Sequence, residues 1–251
     1  MSNLLRAELR RGNLSELLRV EGSLSIERAS QTFGVHPMTI RRDMHELEEE
    51  GIARRVRGGV VFVGPEDFHH RQGNNLAAKR KIAEKLLPLV QGCAAVALDA
   101  STTIFQLARE IRDASQLTVV TNGLAAFESL QLRPGVRVYL TGGESEAQNV
   151  SLMGPLAVAA ISSFVLDACF ISTSSLDPMI GSSELTMGEV EVKRAMATAS
   201  RQVVLAADSS KINSKAMARS LPMSRVDVLA TELDPDDPRL DPFRSDALQI
   251  I

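Results

Sequence analysis

The sequence predicts an α/β fold in two parts: an N-terminal winged helix-turn-helix, then a larger, mostly parallel α/β domain. Three observations lead there. Residues 25–33 and 37–50 read as short helices joined by a Gly34-Val35 turn, and the second carries an arginine pair. Residues 52–63 read as a hairpin around Gly58-Gly59. From residue 76 onward, short apolar runs alternate with helical periodicity, the pattern of a parallel sheet covered on both faces. A chain of 251 residues has room for two cores. The expected boundaries are 1–63 for the winged helix, 64–75 for a linker and 76–251 for the second domain.

A first helix is expected over 4–20, with Leu14, Leu17 and Leu18 packing on the later two helices. Gly12 weakens its middle by about 1 kcal/mol relative to alanine. Ser25 is placed to cap the second helix. Pro37 suits the first position of the third, because its missing N–H would have had no partner there. Ile40, Met44 and Leu47 recur at i, i+4 and i+7 and mark a buried face. At 100° per residue, Met38, Arg42, His45 and Glu49 fall opposite, with Thr39 and Arg41 on the flanks. Such groups reach guanine edges, phosphates and thymine methyls. Gly51 is read as a left-handed stop, and Glu46, Glu48, Glu49 and Glu50 crowd the far end, leaving the beginning basic.

An arginine pair on an amphipathic helix is most often a solvated face. Here the glycine turn before it and the arginine-bearing hairpin after it are coupled signals, and together they favour DNA. Contact with double-stranded DNA is expected from His36, Met38, Thr39, Arg41, Arg42 and His45 in the helix, and from Arg54, Arg55 and Arg57 in the wing. Net charge adds little. The chain carries -3 overall, and residues 1–64 hold ten Arg, no Lys and nine acids, about +1. Binding must rest on local patches.

In the second part, helices are expected over 76–90, 103–111, 124–130, 155–162 and 187–200. Strands are expected over 94–98, 117–121, 136–141, 167–172, 203–207 and 226–230. The Asp- and Pro-rich tail from 234 reads as surface loop, with 248–251 as a candidate edge strand. Open α/β sheets bind ligands at the carboxyl ends of their strands. Four such ends carry small polar residues: Asp99-Ala100-Ser101-Thr102-Thr103, Thr121-Asn122-Gly123, Thr141-Gly142-Gly143 and Asp208-Ser209-Ser210-Lys211. Each loop alone reads as ordinary caps and turns. Four on one rim favour a phosphate-bearing small molecule, held by backbone N–H groups, a helix N-terminus and Lys211.

Two resemblances bear on this. Thr39-Ile40-Arg41-Arg42-Asp43-Met44, then Leu47-Glu48, Gly51 and Arg54-x-x-Arg57-Gly58-Gly59, resembles the signature of the DeoR family of bacterial transcription regulators. Asp-x-x-Thr-Thr at Asp99–Thr103, Thr121-Asn122, the Gly142-Gly143 pair, Glu189-x-x-x-Lys193-Arg194 and Asp208-x-Ser210-Lys211 are similar to that family's sensor domain. Arg71 and Asn74 or Asn75 match an Arg and an Asn common in its linker. The resemblance implies a sensor fold related to ribose-5-phosphate isomerase and a phosphorylated sugar as effector. It also adds Glu189 and Lys193 to the effector residues Asp99, Ser101, Thr102, Thr103, Thr121, Asn122, Gly142, Gly143, Asp208 and Lys211. Three departures stand out. His36 replaces the usual cap Ser, Ser101 replaces a Gly, and Glu144-Ser145-Glu146-Ala147 follows the glycine pair where an Arg is common.

The expected function is a DNA-binding regulator, a repressor of a sugar-utilisation operon released by a phosphorylated sugar. The alternative is a phosphosugar isomerase-like enzyme using Asp99, Glu189, Glu191 and Lys211; an attached winged helix gives such an enzyme no benefit. A sensor domain serving only for oligomerisation is a third reading. No catalytic residue, cofactor or metal is assigned: His69 and His70 have no nearby co-ligands, and Cys93 and Cys169 read as free thiols. A two-fold DNA site implies a homodimer or homotetramer. No apolar run approaches the roughly 20 residues of a membrane span, so a cytoplasmic protein is expected.

Overall fold

The first helix, α1 (Asn3–Glu21), buries Leu14 and Leu18 one turn apart against the two helices that follow. The computed structural model describes residues 3–50, 52–62, 68–112, 114, 116–146 and 149–251. It divides into two units, Met1–Asn74 and Asn75–Ile251.

In the first unit, α1 leads through β1 (Ser23–Ser25) to α2 (Ile26–Phe33) and α3 (Pro37–Glu49). Ser25 caps α2 by accepting from the Arg28 N–H at 3.1 Å. Gly34 ends that helix in the left-handed region, φ 63°. The wing is β2 (Ala53–Val56) and β3 (Gly59–Phe62), and β1 pairs with β3 to make a three-stranded sheet. Only the first wing glycine is needed for its φ of 89°. Gly59 is needed for space: a Cβ there would lie 2.2 Å from the Leu24 carbonyl oxygen of β1. Residues 68–73, within the stretch read as linker, form helix α4 (Phe68–Gly73), with Phe68 buried. Gly51 and residues 63–67 lie outside the described residues.

The second unit opens with α5 (Leu76–Gln91), β4 (Ala95–Leu98), α6 (Thr102–Glu110), β5 (Leu117–Thr121), α7 (Leu124–Leu130) and β6 (Val136–Leu140). A short hairpin follows, β7 (Glu144–Glu146) with β8 (Ser151–Met153), then α8 (Pro155–Ser162) and β9 (Leu166–Ser172). Next come β10 (Ser175–Asp177), β11 (Gly181–Glu184), α9 (Met187–Ala199), β12 (Ser200–Ala206), β13 (Ala218–Arg219), β14 (Val228–Ala230) and β15 (Gln249–Ile250). Seven strands form one parallel sheet in the order β15-β14-β12-β9-β4-β5-β6. One face, with Ala97, Val120, Cys169 and Leu205, packs on α8 and α9 residues such as Ile161 and Met196. The other, with Val96, Leu98, Val119 and Phe170, packs on α5 and α6 residues such as Leu86 and Leu107.

The chain runs outward from β4 in one direction through β5 and β6, and from β9 in the other through β12, β14 and β15. The order therefore reverses between β4 and β9, where a crevice opens beyond the strand ends in this class of sheet.

The tail is not the expected surface loop. Residues Pro238–Phe243 form a 3-10 helix whose Leu240 and Phe243 are buried in the core, while β15 pairs with β14 as the edge strand expected over 248–251. The apolar spacing there is too short to register as a periodic element. Cys169 is buried and free, and burial pushes its thiol up to about 12. Cys93 is free and half-buried.

Candidate functional site

The outward face of α3 is the first candidate. His36 caps the helix, its Nδ1 accepting from the Met38 N–H at 3.2 Å, so a ring nitrogen does the work of a hydroxyl. Met38, Arg41, Arg42 and His45 are exposed and Thr39 is half-buried, while Ile40, Asp43, Met44 and Leu47 are buried. Arg54, Arg55 and Arg57 are exposed in and beside β2.

Acids arranged around this face hold it in place. Asp43 is buried and takes both donors of Arg10 on α1, Nε at 2.6 Å and Nη2 at 3.0 Å. A bidentate pair of this kind fixes direction as well as distance, so it sets the rotation of α3. Glu46 pairs with Arg11 and lies 3.7 Å from Arg42. Glu48 reaches the wing: it accepts from the Arg55 backbone N–H at 3.0 Å and pairs with its Nε at 2.5 Å. The backbone bond and the guanidinium together hold the Glu48 carboxyl below its usual range. Two of the acids that crowd this helix end are therefore built into the unit. Arg55 is less free for phosphate than Arg54 or Arg57.

The second candidate is the carboxyl edge of the parallel sheet. At the switch point, Asp99 beyond β4 accepts from the Ser172 N–H of β9 at 2.8 Å and from its own Ser101 N–H at 2.9 Å. Ser101 caps α6, its Oγ accepting from the Ile104 N–H at 3.2 Å. That leaves the first-turn N–H groups of Thr102 and Thr103 without a capping acceptor among the described residues. Both side chains are buried. Thr121 Oγ1 accepts from the Gly123 N–H at 3.1 Å, and Asn122 donates to the Leu152 carbonyl of β8 at 3.1 Å.

Several expected residues carry structural duties as well. Gly142 and Gly143 have φ of 71° and 120°, and a Cβ on Gly143 would meet the Met153 carbonyl at 2.4 Å. Glu189 forms a capping box with Thr186 at the start of α9. Asp208 accepts from Ser210 and from Asn75 Nδ2, the latter at 3.2 Å, so Asn75 is tied to the end of β12. Lys211 is not paired with Asp208, and its Nζ has no ion-pair or hydrogen-bond partner among the described residues.

Lys193 is the centre of the buried charge. Its Nζ lies 2.7 Å from Glu184 Oε2 and 3.8 Å from Asp99 Oδ2, and all three side chains are buried. Burial alone would push the ammonium down; Glu184, Asp99 and Glu189 outweigh it and hold Lys193 above its ordinary value. Burial pushes Glu184 up. Glu184 also accepts from the Ser174 N–H at 3.1 Å. Sequence reasoning missed Glu184: it ends Gly181-Ser182-Ser183-Glu184, a run without apolar periodicity, and only the fold brings it to Lys193. Among the described residues no group of three or more His, Cys, Asp or Glu gathers as a metal site, and no helix is long and apolar enough to cross a membrane.

Comparison with known proteins bears on both sites. Residues 74–233 match the DeoR C terminal sensor domain, and residues 10–66 the DeoR-like helix-turn-helix domain. The chain belongs to the DeoR family. It is 31% identical to the glycerol-3-phosphate regulon repressor of Escherichia coli K12, over 90% of this chain and 91% of that protein. It is 34% identical to the transcriptional repressor AccR of Agrobacterium fabrum, over 89% and 88%. The match to GolR of Listeria innocua is 30% over 89% of each. This DeoR-family chain is a DNA-binding transcription regulator rather than an enzyme. Ribose 5-phosphate isomerase A of Neisseria gonorrhoeae is a distant likeness: TM-score 0.36 and 17% identity, covering 53% of this chain and 52% of that one. At that level it says nothing about activity.

Proposed function

We propose that this regulator is a cytoplasmic repressor of a sugar-utilisation operon, released from operator DNA when a phosphorylated sugar binds at the sheet edge. One observation carries the reading. The open N–H groups at the start of α6 and the unpaired Lys211 lie on the same edge of a parallel sheet, flanking its switch point. A helix N-terminus and a free ammonium both favour an anion. The strand-end residues Asp99 to Thr103, Thr121-Asn122, Gly142-Gly143 and Asp208, with Glu189 and Lys193 of α9, would line that site.

On the DNA side, Met38, Thr39, Arg41, Arg42 and His45 would enter the major groove, while Arg54, Arg55 and Arg57 follow phosphates. His36 would orient the helix start. A homodimer or homotetramer would read two half-sites about one helical turn apart. The 1–63, 64–75 and 76–251 division serves this reading, with reader and sensor as separate parts.

The test is to select bound fragments from genomic DNA and then titrate phosphorylated sugars onto the complex. A two-fold repeat in the selected fragments, and release by at least one sugar phosphate, are the expected results. Binding that no phosphorylated compound alters would defeat the effector assignment.

A further inference from the structure

Ser220 Oγ beside β13 and three further buried side-chain oxygens in the second unit have no hydrogen-bond partner among the described residues; the three are Glu184 Oε1, Asn122 Oδ1 and Ser151 Oγ. Each of these three belongs to a side chain exposed by 3% or less. A buried polar atom left unpaired costs stability, so three together ask for a partner. The Asn122 orientation is settled by its neighbour. Its amide nitrogen donates to the Leu152 carbonyl, which leaves the oxygen as the free end.

Contacts link the residues that carry these atoms. Asn122 and Ser151 sit in adjoining segments, since Gly123 bridges to Ser151 and the Leu152 N–H donates to the Asn122 carbonyl. Two residues before Ser151, Asn149 Nδ2 reaches Glu189 Oε1 at 3.5 Å. Glu189 acts electrostatically on both Lys193 and Glu184. Lys193 touches Asp99, and Ala100 beside Asp99 lies against Gly123, where a Cβ would come within 2.9 Å. The ring closes beside Asp99, beyond the carboxyl end of β4.

Two of the free atoms are pure acceptors and the third is a hydroxyl. The charges around them are also one-sided, with Asp99, Glu184 and Glu189 facing Lys193. A second anionic group on the ligand would meet those carboxylates. We infer that Glu184, Asn122 and Ser151 form the specificity end of the effector site, which takes a hydrogen-bond donor, hydroxyl or ammonium, on the end of the ligand away from its phosphate. This rests on the phosphate reading above and narrows it. The effector is a phosphate ester of a polyol or amino-polyol, not a phosphorylated acid.

The experiment is thermal melting of the full chain with inorganic phosphate, glycerol 3-phosphate, ribose 5-phosphate, glucosamine 6-phosphate and 3-phosphoglycerate. Glycerol 3-phosphate and 3-phosphoglycerate are matched in length and differ in ending on a hydroxyl or a carboxylate. A ligand that binds the folded state raises the melting temperature. The expected result is that at least one hydroxyl- or amine-ended ester binds about tenfold or more tighter than inorganic phosphate and 3-phosphoglycerate, about 1.4 kcal/mol. If 3-phosphoglycerate or phosphate alone binds as tightly, the anion site stands and the donor end is overturned. If no phosphate compound raises the melting temperature, the phosphate reading falls and takes this inference with it.

Variants separate binding from structure. Ser151→Ala removes an unpaired hydroxyl, so without ligand it should melt at or above the wild-type temperature. Its affinity for the best ester should fall by about tenfold, as for a lost hydrogen bond. Unchanged affinity overturns the assignment. Glu184→Gln places an amide N–H where the free oxygen was. It should weaken an ammonium-bearing ligand more than a hydroxyl-bearing one, because a hydroxyl can also accept. Should that variant fail to fold, Ser151→Ala decides the matter alone.

Discussion

In α3 and the wing, Arg41, Arg42, Arg54 and Arg57 stand in solvent, whereas Lys193 on α9 is buried 2.7 Å from Glu184 and 3.8 Å from Asp99. Both regions hold several charges in a small space, yet their energetics differ. Exposed pairs are screened by water and salt and contribute little to stability, typically about 0–1 kcal/mol each. Their value lies in aim. Glu46 sits between Arg11 and Arg42, and Glu48 anchors Arg55, while Asp43, buried against Arg10, is the exception. Around Lys193 the charges have left water, and removing one strands the others. An exposed charge such as Arg55 can therefore be lost with little effect on folding, whereas Lys193 cannot.

The largest expected effect tests that difference. Lys193→Met leaves Glu184 and Asp99 buried without their cation and should cost about 3–5 kcal/mol of stability by urea unfolding. Arg55→Ala should leave the unfolding midpoint nearly unchanged. Equal losses in the two variants would erase the contrast. Its pH dependence has a definite sign. Because Lys193 is held above its ordinary value, its stabilising contribution persists below that value and is lost as pH rises through the raised one.

Next in size is Arg42→Ala. Arg42 projects from the solvent face of α3 with its side chain 84% exposed. Its removal should cost about 1–3 kcal/mol at the selected site and relax preference at one position. Arg57→Ala should instead weaken binding on all sequences and reduce the salt slope by about 1. If Arg42→Ala loses affinity equally on selected and random DNA, Arg42 contacts phosphate.

The two regions also differ in how far their amino-acid sequence discloses them. Long elements with a repeating apolar period are readable: α7 and β5 span the expected 124–130 and 117–121, and the α3 face follows from Ile40, Met44 and Leu47. The short strands β1, β7, β8, β10, β11 and β13 are not, because their two to four residues are mostly polar and form no apolar run. Nor is the buried tail, whose Leu240 and Phe243 stand among Asp, Pro and Arg. At the sites, residue types at strand ends point to a rim. The partners that set its chemistry lie far along the chain: Asp43 meets Arg10 from 33 residues away, and Asp99 meets Ser172 from 73. Glu184 and Ser151 carry no signal at all, since an unpaired buried oxygen is a property of the fold.

The most direct measurement is release of wild type and Lys211→Ala from the selected operator by the best phosphate ester. Lys211 is far from α3 in sequence, so operator affinity without ligand should be the same for both. The variant should need about tenfold more ester for half-release, or about 1.4 kcal/mol, as befits one charge-assisted contact. Superimposable release curves would place Lys211 outside the site and contradict a phosphate held at this edge of the sheet.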